Sequence, residues 1–153
     1  MTQLESAKNN ILTPLMKQIA LFEQLSTEFI LKGMRNGQIV IPLNKNHKIK
    51  KPCGIGTGLS TKINANIGTS TDKSNIKNEL QKMRAAVKYG ADAIMDLSVG
   101  KQIRKTRQAI LKKSILPLGT VPIYEIAVNA QEKHGNFLEF SAQDMLKTLE
   151  LQA

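Results

Sequence analysis

Between residues 61 and 125 the chain alternates short apolar stretches with amphipathic ones, and that alternation leaves few folds open to it. TKINANI (61–67) and DAIMDLS (92–98) read as strands, and LPLGTVPIYE (116–125) as a third, made irregular by two prolines. Residues 74–89 carry Ile76, Leu80, Met83 and Val87 at helical spacing, with Gly90 just past the end. Residues 101–113 carry Ile103, Ile110 and Leu111 on one side and basic residues elsewhere. Ser141 and Asp144 have capping-box spacing ahead of another helix that runs to residue 153. Strand, helix, strand, helix, strand, helix is the pattern of parallel βα units. DAIMDLS has few alternating polar positions, as expected of a sheet covered on both faces.

The alternation is periodic. Asn66, Met95 and Tyr124 each fall at or near the C-terminal end of one predicted strand, 29 residues apart in both steps. A (β/α)8 barrel of about 250 residues spends roughly 30 on each unit, so equivalent positions converge on one barrel mouth. The expected fold is therefore α/β: N-terminal helices followed by three βα units of an incomplete (β/α)8 TIM-type barrel. An open doubly wound sheet fits the same units and also binds ligands beyond the carboxyl ends of its strands. Strands disfavour asparagine, so KINANIGTS (62–70) needs a tertiary reason for its two. Asn66 is expected to face a ligand. Asn64, of the same parity, is expected to pack deeper or to brace backbone.

Upstream the pattern changes. Residues 2–37 read as two or three helical pieces: Thr2 and Glu5 have capping-box spacing, and Pro14 suits a first turn. QIVIP (38–42) is a short strand, and 44–58 a polar, basic, glycine-rich loop. The expected division is 1–60 against 61–153. Within the loop, GIGTG (54–58) precedes a strand and opens no helix, so it reads as a flexible turn rather than a phosphate cradle. NIGTS (66–70) lies between strand and helix. It suits anion binding through backbone amides and equally suits helix capping by Thr69, Ser70 or Asp72.

Composition bounds the partners. The formal net charge is +10, concentrated in Lys45, Lys48, Lys50 and Lys51 and again in Lys101, Arg104, Lys105, Arg107, Lys112 and Lys113. No interleaved aromatics or zinc-knuckle ligands accompany these clusters, which argues against nucleic acid and equally suits an anionic small substrate. The second cluster reads as a solvated helix face. Cys53 is the sole cysteine, so no internal disulfide forms and a reducing compartment is expected. The first residues lack a basic region followed by an apolar one, and no stretch nears 18 apolar residues, so a cytoplasmic protein without membrane contact is expected. His47 and His134 are far apart and read as loop residues, so no metal site is predicted in this chain. Asp92 and Asp96 flank a strand, where Asp96 is expected to brace the neighbouring loop. Met95 offers an adaptable apolar wall and Tyr124 a hydroxyl.

KINANIGTS, GADAIMDLSVG and PLGTVPIYE closely resemble the phosphomethylpyrimidine synthase family, as do NKNH, GIGTGLSTK and the opening TQLESAK. The resemblance covers essentially the whole chain, in the family's compact form without an additional N-terminal domain. It implies a (β/α)8 barrel that rearranges 5-aminoimidazole ribotide into hydroxymethylpyrimidine phosphate in thiamine biosynthesis. The family draws its radical from S-adenosylmethionine and a four-iron four-sulfur cluster, and also binds zinc. It implies substrate contacts at Asn66, Met95 and Tyr124, the three positions the 29-residue period selects, and a homodimer for the full-length protein. No catalytic residue is assigned within this chain.

Three features depart from the family. Val99 stands where threonine usually follows DLS, and Glu125 where glutamine commonly follows PIY. The metal-binding histidines and the three-cysteine cluster motif are expected beyond residue 153, so the chain reads as an N-terminal fragment, inactive alone. The competing readings are a fragment of the paralogue that makes hydroxybenzimidazole from the same ribotide, a stand-alone anion- or nucleotide-binding module, and a non-functional remnant.

Overall fold

The computed structural model describes residues 1–44, 46–47, 49–100 and 102–153; Lys45, Lys48 and Lys101 of the basic clusters lie outside the described residues. The N-terminal third is three short helices, each started by a hydroxyl. In α1 (Gln3–Lys8) the Thr2 hydroxyl accepts from the Glu5 amide, and Glu5 accepts in return from the Thr2 amide, the expected capping box. Thr13 caps α2 (Pro14–Glu23), with Pro14 in its first turn, and Ser26 caps α3 (Thr27–Arg35). Met16, Ile19 and Ala20 from α2 meet Ile30 and Met34 from α3 and Ala7 from α1. Ile39 and Ile41 close this core from below α3. Ile39–Val40 forms β1, antiparallel to β2 (Ile55–Gly56). The GIGTG segment is thus partly strand. Gly56 runs so close to β1 that a Cβ on it would stand 2.1 Å from the Gln38 carbonyl oxygen.

The second core belongs to a three-stranded parallel sheet of order β3 (Asn64–Ile67), β4 (Ala93–Asp96), β5 (Leu118–Thr120). The crossover helices are α4 (Ile76–Lys88) and α5 (Ile103–Lys113). Ile67 and Ile94 pack with Met83, Ile110, Ala91 and Leu116, and Ala65 and Leu118 join them at the margin. Strand alternation then sends Asn64, Asn66, Ala93 and Met95 to the other face. Asn64 and Asn66 are both exposed on that face.

The third unit differs from expectation. Residues 116–125 do not run as one strand to Tyr124: β5 stops at Thr120, and α6 (Pro122–His134) begins two residues later. Pro122 ends pairing and supplies the first helical residue with its φ already set. Ile126 and Ala130, four apart, then bury one face, and Gly135 closes the helix at φ 72°. His134 is consequently the last residue of a helix, not a loop residue. The helix expected near the end of the chain is α7 (Ala142–Gln152), with the Ser141–Asp144 capping box in place.

The two cores are tied together at the N-terminal edge of the parallel sheet. Lys62 meets Glu23 at 2.7 Å, with both side chains largely buried. The Lys50 and Lys51 amides donate to the Ile115 carbonyl, and Asp92 receives both the Ile63 amide and Lys51. No helix is long and apolar enough to cross a membrane among the described residues.

Candidate functional site

Pairing in the parallel sheet is in register from Asn66 to Met95 and from Met95 to Gly119. Paired residues on neighbouring strands point to the same face, so these three form one row near the C-terminal edge of the sheet. A Cβ on Gly119 would stand 2.9 Å from Met95 Sδ, which shows the thioether lying across β5. Glycine at 119 is what leaves room for it. On β3, the Asn64 side-chain amide donates to Asn66 Oδ1 at 2.9 Å. Asn64 is therefore neither deep packing nor a backbone brace; it holds the neighbouring amide.

Tyr124 arrives by a different route. It lies in the first turn of α6, half-exposed, four residues past the end of β5. The residue 29 positions after Met95 thus stands at the start of the helix that follows β5, and not on a strand.

The loops beyond this edge are held by internal partners. Gly68 donates to Glu79, which is itself buried on α4 and paired with Lys82 at 2.7 Å. The Thr69 amide donates to the Ser98 hydroxyl, and the Ser70 amide to the Lys73 carbonyl. With those three amides engaged, NIGTS presents no free amide cradle at 68–70. The capping alternative fails too, because α4 is capped by Asn75, whose side chain accepts from Lys77 and Asn78. Asp96 points into the helix layer and accepts from the Ser98 amide and hydroxyl, bracing the loop as expected. Burial pushes its carboxyl above the ordinary aspartate value, against the lowering effect of those hydrogen bonds.

Behind Tyr124 stands a second carboxylate. Glu125 is 2% exposed and accepts from Arg107, from Arg104 Nε at 3.3 Å and from Gln152 Nε2 at 2.7 Å. Gln152 in turn accepts from the Thr120 hydroxyl. Burial alone would raise the Glu125 pKa; the Arg107 and Gln152 hydrogen bonds outweigh it and hold the carboxyl below its ordinary value. Arg107 is correspondingly buried, which corrects the reading of residues 101–113 as a uniformly solvated basic face. Sequence periodicity had no means of finding this pair, since its partners lie on α5, α6 and α7.

A model of the radical SAM ThiC family matches residues 2–153. The chain belongs to the radical SAM ThiC family. Among curated relatives it is 52% identical to a phosphomethylpyrimidine synthase of Dehalococcoides mccartyi, 46% to one of Moorella thermoacetica and 47% to phosphomethylpyrimidine synthase 2 of Methanothermobacter thermautotrophicus. Each comparison covers the whole of this chain and 35–36% of the relative. This radical SAM ThiC family chain thus spans about a third of the length of the relatives it matches. Among its described residues no three His, Cys, Asp or Glu side chains gather as a metal-binding group.

Proposed function

We propose that this chain supplies the first substrate-binding face of a phosphomethylpyrimidine synthase, a lyase of thiamine biosynthesis acting on 5-aminoimidazole ribotide. The observation that carries the reading is the row Asn66, Met95, Gly119 on the exposed sheet face, in a chain about half identical to such synthases throughout. In this reading Asn66 offers amide hydrogens, Met95 an apolar wall that adapts to the heterocycle, and Tyr124 a hydroxyl at the rim. The three βα units are the opening part of a (β/α)8 barrel whose mouth lies at this edge. Residues 1–60 form a helical unit packed below it, and 61–153 belong to the catalytic domain.

The radical chemistry of the family is supplied by a four-iron four-sulfur cluster with S-adenosylmethionine. The residues present do not fit that cluster. Cys53 is the single cysteine, it is buried, and burial pushes its thiol up, whereas a cluster needs several thiolates. The part this chain plays is binding and orientation of the ribotide.

Calorimetry under anaerobic conditions tests this. The purified chain is expected to bind the ribotide weakly, with a dissociation constant of about 1 mM, and to lose that binding on Asn66→Ala. With iron, sulfide and S-adenosylmethionine added, no pyrimidine is expected above the protein-free control. Absence of binding, or binding indifferent to Asn66→Ala, overturns the proposal.

A further inference from the structure

The first turn of α6, like that of α5, lacks a side-chain cap. Val121 occupies the cap position, and no side chain there accepts an amide hydrogen. By contrast Thr13, Ser26, Asn75 and Ser141 each cap their helices with a side-chain oxygen. An uncapped first turn frays unless something else fastens it. The Tyr124 amide donates back to the Val121 carbonyl.

What fastens this turn is its fourth residue. The Glu125 carboxylate sits within the first turn, where the helix dipole favours negative charge. It is closed off from water by Arg107 and Arg104 of α5 and by Gln152 of α7. Through Gln152 it also reaches the Thr120 hydroxyl at the end of β5. Three helices therefore meet on one carboxylate, with β5 joined through Gln152, immediately beside a half-exposed tyrosine.

We propose that Glu125 is the positioning residue for Tyr124: gathered by Arg107, Arg104 and Gln152, it fixes the uncapped turn and so the place of the Tyr124 ring at the sheet edge. This rests, for its functional meaning, on Tyr124 facing the ligand. The coupling of Glu125 to the Tyr124 ring is a property of the chain itself.

The composition provides the test. The chain has no tryptophan and two tyrosines, so a chain grown on ring-labelled tyrosine gives two ring signals. Tyr89, 81% exposed beyond α4, serves as the internal control, and Tyr89→Phe assigns the pair. In Glu125→Ala the Tyr124 signal is expected to shift while that of Tyr89 stays in place. Glu125→Gln, which still accepts from Arg107, is expected to restore most of the wild-type position. In the Tyr89→Phe background, quenching of Tyr124 fluorescence by acrylamide is expected to rise about twofold in Glu125→Ala. A Tyr124 signal unmoved in Glu125→Ala, or one that moves together with Tyr89, overturns the proposal. Should Glu125→Ala not fold, Gln152→Ala decides on the same two outcomes, since it removes one donor and leaves the Arg107 pair. Should the wild-type chain take no ribotide, the proposed function fails while the ring signals still decide this inference.

Discussion

The Asn64 amide donates to Asn66 Oδ1 across 2.9 Å, on the open face of the parallel sheet. Two residues of one strand, spaced for the same face, thus form a single unit. With one lone pair of Asn66 Oδ1 engaged, the side chain is oriented so that its amide hydrogens face outward, and the atom they meet should be an acceptor such as a phosphate or ribose oxygen. Asn64→Ala leaves Asn66 in place but frees its orientation. We expect ribotide affinity to fall about 3–10-fold, one hydrogen bond's worth. Both side chains are exposed, so unfolding free energy should change by no more than about 0.5 kcal/mol. An Asn64→Ala chain that binds like wild type would remove the amide pair from the account.

Gly68 turns the chain from β3 toward α4 at φ 154°, and a Cβ there would lie 2.6 Å from the Leu97 carbonyl carbon. Neither the conformation nor the space admits a side chain, and the neighbour is backbone of β4's exit loop, which cannot swing away. Gly68→Ala should therefore cost about 2 kcal/mol or more. Urea denaturation measures it; a loss under about 0.5 kcal/mol would mean the loop relaxes freely.

Asp96 and Glu125 should respond to pH in opposite directions. The folded pKa of Glu125 is lowered, so its stabilisation is present above the ordinary glutamate value and disappears as pH falls through the folded value. The cost of Glu125→Gln should accordingly be greatest near neutrality and shrink in acid. For Asp96 the folded pKa is raised, so the folded state binds its proton more tightly and stability falls as pH rises past the ordinary aspartate value. Asp96→Asn should thus gain relative to wild type between about pH 4 and pH 7. Denaturation of the three chains across that range gives both slopes. Parallel slopes for the two variants would contradict the assignment.

The first two βα units were legible because their strands and helices follow apolar spacing that local chemistry alone enforces. Both capping boxes were legible for the same reason, since partner and cap lie three residues apart. The third unit departs from expectation because Pro122, which in sequence reads as an irregularity within a strand, is the first residue of α6. The 29-residue period carries on past the strand, so its third position falls in the first turn of α6 and not at a strand end. Arg107 and Glu125 were not legible together: one lay in a basic run, the other stood out only as a departure from the family. What unites them is an ion pair reaching from α5 to α6, which only the fold brings together. The amides of Gly68 and Thr69 were likewise invisible, being consumed by Glu79 and Ser98 from other elements.

The central claim is that ribotide meets the open sheet face at its C-terminal edge, and chemical-shift mapping tests it most directly. A uniformly labelled chain titrated anaerobically with 5-aminoimidazole ribotide should show saturable shifts at the Asn66 side-chain amide, the Met95 methyl, the Gly119 amide and the Tyr124 ring. The 490 Å3 groove between α6 and α7, lined by Arg104, Lys133 and Lys147 among others, should stay silent. Saturable shifts in that groove with Asn66 and Met95 unmoved, or no shifts at all, would contradict the account.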